Sequence, residues 1–226
     1  MAESADIAQY ADTEHVPCAS RHGALVRVTH WITAIAFFAL LLSGAEIVLS
    51  HPRFYWGETG NVLMHPLFVI PVPSSRATVP TGYGYVLPDQ NGWSRYLHFQ
   101  AAWAVVLTGV VYVVAGWWTR HFRVALFSAV SSYNAWQRAA YVVVIFVLFP
   151  VAIATGLALS PAFDAATPAF VNLWGGRQSA RTLHFFASIF LVVFVVGHIA
   201  MVIRAGFRNR MRGMITGFEP VHEERT

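Results

Sequence analysis

The chain has 226 residues, 56% of them hydrophobic and only 12% charged, where a soluble domain carries roughly 25% charged residues. All 15 basic residues are arginine, set against 11 acids, for a formal net charge of +4. This composition excludes a soluble enzyme, and the lone Cys18 excludes intrachain disulfides, iron–sulfur clusters and thioether-linked haem.

In chain order, residues 1–22 are polar and lack an apolar core, so they read as a cytoplasmic tail and not as an export signal. Residues 23–205 follow as one membrane domain. It contains four apolar windows, 28–49, 97–118, 139–160 and 183–203, which hold a single charge, Glu46. Each window is as long as the ~20 residues that cross a hydrocarbon layer of ~30 Å. The expected fold is an all-α integral membrane protein, a bundle of four transmembrane helices, with 206–226 as a second, basic cytoplasmic tail.

Four spans put both termini on one side. Ten arginines lie on that side and five on the other, so the termini are expected to be cytoplasmic. The first external loop, residues 50 to about 95, is rich in Pro, Gly and aromatic residues. Phe54, Tyr55, Trp56, Tyr83, Tyr85 and Trp93 suggest an exposed docking face there, together with the loop around Asn172–Arg181. Its apolar stretch Val62–Val72 is too short to span and is broken by Pro66 and Pro71. Inside, Arg123–Val130 reads as a short interfacial helix. No basic run is interleaved with aromatics for nucleic acid.

Ten histidines occur, and six of them lie in tails or loops. The other four, His30, His98, His184 and His198, sit in or at the ends of spans, where ionisable residues point to function. His184 and His198 are 14 residues apart, which is 40° short of four helical turns and about 21 Å along the axis. They share a face at two depths. By span direction His30 matches the depth of His198, and His98 that of His184. Two pairs at two depths are what two b-type haems with bis-histidine iron require. A single zinc or copper ion needs its ligands converging within about 2–2.3 Å, which two separate levels do not offer. Gly109, Gly116 and Gly197 leave room either for a flat macrocycle or for plain helix packing. Arg27, Arg95 and Arg181 each precede one of these histidines by three residues. They are either partners of haem propionates or arginines snorkelling to the interface.

The stretches Arg27–Trp31, Ser43–Gly57, Arg95–Phe99, Tyr133–Tyr141, Thr155–Leu157, Arg181–Ser188 and His198–Val202 resemble the four-helix cytochrome b subunits of formate dehydrogenases, nickel–iron hydrogenases and thiosulfate-reductase-type complexes. The resemblance covers residues 22 to 205, and His51–Gly57 is its most specific piece. It implies that His30, His98, His184 and His198 are haem ligands in the same pairing. It also implies a bacterial inner-membrane protein moving electrons between a periplasmic partner, a molybdopterin oxidoreductase or iron–sulfur protein, and a menaquinone or ubiquinone. The quinone site would adjoin His198 and include Asn134, with Tyr133, Gln137 and His22 nearby; the plain alternative for Asn134 is a helix cap. Two other readings stand beside this one, a stand-alone transmembrane cytochrome b reductase and a haem-free membrane anchor.

Overall fold

The computed structural model describes residues 18–20, 23–61, 63–71, 91–119 and 135–220. Four helices are long and apolar enough to cross a membrane, Ala24–Ser50, Gly92–Trp118, Trp136–Ala158 and Arg177–Arg204. Three of them start four to six residues before the expected windows. Apolar windows miss the polar first turns, where Arg95, Arg177 and Gln178 continue the helix into the interface.

The helices are α1 (Ala24–Ser50), α2 (Asn91–Trp118), α3 (Ala135–Val143), α4 (Phe149–Ala158), α5 (Pro161–Ala166), α6 (Pro168–Leu173), α7 (Arg177–Arg204) and α8 (Phe207–Thr216). Between α3 and α4 lies a π-helical turn, Val144–Leu148, where the Phe149 amide reaches back to the Val144 carbonyl. Pro150 explains it. A proline has no N–H for the carbonyl one turn earlier and its ring crowds that carbonyl, so the helix opens into a wider turn just before it. Pro161 and Pro168 instead sit at the starts of α5 and α6, where the missing N–H costs nothing.

The described residues form two compact units. The larger runs from Thr29 to His198. In it α1 and α2 meet through small residues, with Ala36, Ala101 and Val105 buried and Ala39, Leu40, Ala104 and Phe149 packed against them. Small residues let membrane helices approach closely. The outward faces are apolar at helical spacing: Ile35, Phe38 and Leu42 on α1, Leu107, Val110 and Val114 on α2, Ile189, Val193 and Val196 on α7. That pattern suits lipid, not water.

The segment after α1 folds back instead of projecting. Strands β2 (Arg53–Phe54) and β3 (Phe68–Val69) pair antiparallel, Phe54 opposite Phe68. Phe68 stacks on Phe54 and packs against Phe185 and Phe186 of α7. Phe54 and Tyr55 are only 1% and 6% exposed. The expectation of a docking face does not hold for them: both are buried, Phe54 against Phe185 of α7 and Tyr55 within its own segment, where its hydroxyl donates to the Asn61 carbonyl at 2.6 Å. Trp56 and Trp93 are exposed, while Tyr83 and Tyr85 lie outside the described residues.

The same segment clamps the first two turns of α7. Gln178 and Ser179 donate their amides to the Gly57 carbonyl at 2.9 and 3.2 Å, and the Arg177 amide donates to Glu58 Oε2 at 3.1 Å. These satisfy N–H groups that a helix start otherwise leaves open. The Gly57 amide donates to Ser179 Oγ at 2.7 Å, Thr182 Oγ1 to the Tyr55 carbonyl at 2.8 Å, and Arg181 to the His51 carbonyl. Gly176 makes the approach possible. Its φ is +97°, and a Cβ there would lie 2.7 Å from the backbone of Gly57 and Glu58.

The smaller unit combines Met1–Val28 with Ile199–Thr226. The expected tails are tied together in it, since β1 (Cys18–Ser20) pairs antiparallel with β4 (Phe218–Pro220). The latter follows α8, which carries Arg208, Arg210 and Arg212 at every second position. The Arg123–Val130 segment lies outside the described residues.

Candidate functional site

Four histidines from three helices form two pairs in the larger unit. His98 on α2 faces His184 on α7 with ring centroids 6.2 Å apart and planes inclined by 66°. His30 on α1 faces His198 on α7 at 6.3 Å and 53°. The near-equal separations have a simple meaning. Two imidazoles that each bond one metal at about 2 Å place their ring centroids about 6 Å apart.

The surroundings of the His98–His184 pair are highly ordered. Ser43 Oγ lies 3.0 Å from His98 Nδ1, and Thr155 Oγ1 lies 3.2 Å from His184 Nδ1. Both hydroxyls are fully buried. Each already donates to the carbonyl four residues back, Ser43 to Ala39 at 2.7 Å and Thr155 to Val151 at 2.6 Å. A hydroxyl has one proton, so toward the histidine each oxygen can only accept. His184 Nδ1 also reaches the Ala152 carbonyl at 2.9 Å, and His98 the Leu40 carbonyl. All of these oxygens demand the proton on Nδ1, which leaves Nε2 of each ring unprotonated and able to bind a metal.

At the other pair the environment is aromatic. His198 stacks on Phe194 at 5.9 Å and meets Tyr141 of α3 edge-on at 6.4 Å. His30 meets Trp31 edge-on at 5.3 Å. His198 Nδ1 is buried with no hydrogen-bond partner among the described residues.

The arginines separate into two settings. Arg95 and Arg181 line one cleft of about 460 Å³ beside the ends of the spans, together with Arg177, His51 and Glu58. Arg181 is held there by the His51 carbonyl and lies over the Phe54 ring at 4.9 Å. Arg177 donates to the Leu159 carbonyl at 3.3 Å and pairs with Asp164 at 3.6 Å. Arg27 belongs to the smaller unit, where its Nη1 donates to the Ile215 carbonyl at 2.6 Å and Gly217 packs on its guanidinium. Gln137 is half-buried on the first turn of α3, one turn before Tyr141; Tyr133, Asn134 and His22 lie outside the described residues.

Residues 21–217 match the model of the prokaryotic cytochrome b561 family. The chain belongs to that family. As a member it is a multi-pass membrane electron-transfer subunit of the cytochrome b561 type, and membership implies b-type haem. It is also 30% identical over 202 residues to the putative protein-methionine-sulfoxide reductase subunit YedZ1 of Azospira oryzae, a match covering 80% of this chain and 89% of that protein. The histidine pairs fit the group that a cytochrome b561 binds. A zinc ion takes about four protein ligands, whereas a porphyrin brings four nitrogens of its own and asks the protein for two imidazoles.

Several residues at this site escaped the reading of the sequence. The glycines that face histidines are Gly44 and Gly156, where a Cβ would lie 3.5 Å from His98 Cε1 and 3.3 Å from His184 Cε1. At Gly109 and Gly197 a Cβ would meet nothing within 4 Å. The available signal was the hydroxyl–glycine dipeptide, Ser43–Gly44 in the first span and Thr155–Gly156 in the third; Thr108–Gly109 in the second repeats it, but a Cβ at Gly109 would meet no imidazole within 4 Å. Tyr141 and Arg177 were also missed.

Proposed function

We propose that the chain is a di-haem cytochrome b subunit carrying electrons across a bacterial inner membrane, between the quinone pool and a periplasmic redox partner. The observation that carries this reading is the double pairing of His30 with His198 and His98 with His184 at 6.3 and 6.2 Å. In this reading the two imidazoles of each pair would hold one haem b. Haem b supplies a one-electron ferric–ferrous couple when bound. Because α7 carries one ligand of each pair, 14 residues apart, the two centres are held about 21 Å apart along a single rod.

The chain's own residues divide the remaining work. Arg95 and Arg181, with Arg177, line a positively charged cleft suited to the propionates of the His98–His184 haem. Arg27 stands one turn from His30 and is the corresponding candidate at the other haem, although its Nη1 is committed to Ile215. The quinone is proposed to bind near His198, between Tyr133, Asn134 and Gln137. Its two-electron, two-proton exchange requires donors and acceptors there, and an amide such as Asn134 or Gln137 offers both.

The arginine bias supports cytoplasmic termini, with the His98–His184 end toward the periplasm. That end exposes apolar side chains at Trp56, Leu63, Leu67 and Leu173, Leu63 being 93% exposed. Such a surface fits a protein partner. The name of the Azospira relative supports a reductase as that partner, and the resemblance of His51–Gly57 supports one of the molybdopterin class.

The test is haem stoichiometry. Purified protein should show two haem b per chain by pyridine haemochromogen. His98→Ala and His184→Ala should each remove one haem, and His30→Ala and His198→Ala the other, as told apart by potentiometric titration. A colourless protein would establish the haem-free anchor instead. Two haems reducible by a small donor with no co-purifying partner would establish the stand-alone reductase.

A further inference from the structure

The His98–His184 pair is held by the same two-residue device twice. On α1, Ser43 accepts from His98 Nδ1 while Gly44 leaves open the space beside Cε1 of that ring. On α4, Thr155 and Gly156 do the same for His184. In both cases the next membrane-spanning helix along the chain carries the histidine and the preceding one carries the seat. In both the hydroxyl is fully buried and locked by its own i−4 carbonyl, so it does not rotate away. Simple helix packing explains a serine or threonine bonding back to its own helix. It does not explain why both are followed by a glycine whose missing Cβ lies against the same imidazole.

We propose that Ser43–Gly44 and Thr155–Gly156 are matched imidazole seats that fix the orientation and donor strength of His98 and His184, and so set the reduction potential of the haem between them. The inference rests on the reading of these histidines as axial ligands. An oxygen accepting from Nδ1–H gives the ring partial imidazolate character and makes Nε2 a stronger donor. A stronger donor favours ferric over ferrous iron and lowers the potential. The seat also fixes the rotation of each ring about its Cβ–Cγ bond, which sets the angle between the two imidazole planes. Ser43 and Thr155 are therefore positioning residues, acting only through the histidines.

The experiment uses the full-length protein with its haems, in nanodiscs. Thr155→Val keeps the side chain's shape and removes the hydroxyl acceptor, leaving His184 Nδ1 the Ala152 carbonyl alone; Thr155→Ser keeps the hydroxyl; on α1, Ser43→Ala removes the hydroxyl acceptor of His98 and Ser43→Thr keeps it. Haem content, potentiometric titration and the ferric low-spin EPR signal, whose anisotropy follows the angle between imidazole planes, are read for each. Thr155→Val and Ser43→Ala are expected to raise the potential of one haem and alter its EPR signal, with the other haem unmoved. The affinity for the affected haem should drop by about 10- to 100-fold, the range found for outer-shell partners of metal ligands. Thr155→Ser and Ser43→Thr should restore the wild-type potential and signal. Unchanged potential and EPR in Thr155→Val and Ser43→Ala overturn the seats, as does equal loss of haem in the hydroxyl-keeping and hydroxyl-lacking variants. A wild-type protein without two haems would overturn the proposed function, and the seats with it; two haems with indifferent seats would overturn the seats alone.

Discussion

Gly176→Ala tests the clamp that places α7. The residue has φ +97°, a conformation costing an L side chain roughly 1–2 kcal/mol. The new Cβ would stand 2.7 Å from the backbone of Gly57 and Glu58, and ordinary contact begins at 3.4 Å. Both neighbours are backbone atoms with no rotamer to change, so the segment has to retreat by about 0.7 Å. The amide bonds from Gln178 and Ser179 to the Gly57 carbonyl, now 2.9 and 3.2 Å, would then stretch beyond useful length. The Arg177 amide bond to Glu58 would stretch with them. At about 1 kcal/mol each, the three bonds and the backbone strain together cost roughly 4–5 kcal/mol. For a chain of this size that lowers the melting temperature by on the order of 10 °C. The assay is thermal unfolding in detergent with haem absorbance recorded alongside, and Gly57→Ala, whose Cβ meets nothing within 4 Å, isolates the effect of φ at +102° alone. A melting temperature for Gly176→Ala equal to that of Gly57→Ala would show that the close approach carries no stability.

Gly156→Val should cost one haem per chain while Gly109→Ala costs none, because only the first puts methyl groups against His184; pyridine haemochromogen counts distinguish them. One alanine inserted after Leu191 turns the rest of α7 by about 100° and shifts it by about 1.5 Å. The clamp holds the Arg177 end, so the His98–His184 haem should survive and the His30–His198 haem should be lost; retention of both in the redox titration would refute a rigid α7.

The spans were legible because an apolar run long enough to cross a bilayer has few other meanings. The juxtaposition of His30 with His198 and His98 with His184 was legible too, since helical rise converts sequence position into depth. What escaped depends on contacts made across long stretches of chain. Gly57 and Ser179 are 122 residues apart, and nothing local to either marks them as partners. Phe54 looks the same in sequence whether it faces a partner protein or Phe185. The seats at Ser43 and Thr155 were hidden for a different reason: a small hydroxyl residue before a glycine is ordinary in a membrane helix, and only the facing imidazole gives it a role. Strands of three residues such as Cys18–Ser20 carry no periodic signal of their own.

The clamp and the seats answer one mechanical demand. A metal–imidazole bond of about 2 Å tolerates little error, yet each histidine pair is built from two helices that could slide or turn independently. A slip of one residue turns a helix by about 100°, which would swing both His184 and His198 away from their partners at once. Apolar packing against lipid resists such a slip poorly, because the outward faces of α7 are interchangeable for lipid. The directional contacts are therefore found where the register of α7 is decided. Arg177, Gln178 and Ser179 fix its height against Gly57 and Glu58, Thr182 and Arg181 fix its rotation against Tyr55 and His51, and Thr155 takes hold of His184 one turn further on. With its first two turns held, the rod delivers His198 four turns later to His30, where Phe194 and Tyr141 flank its ring.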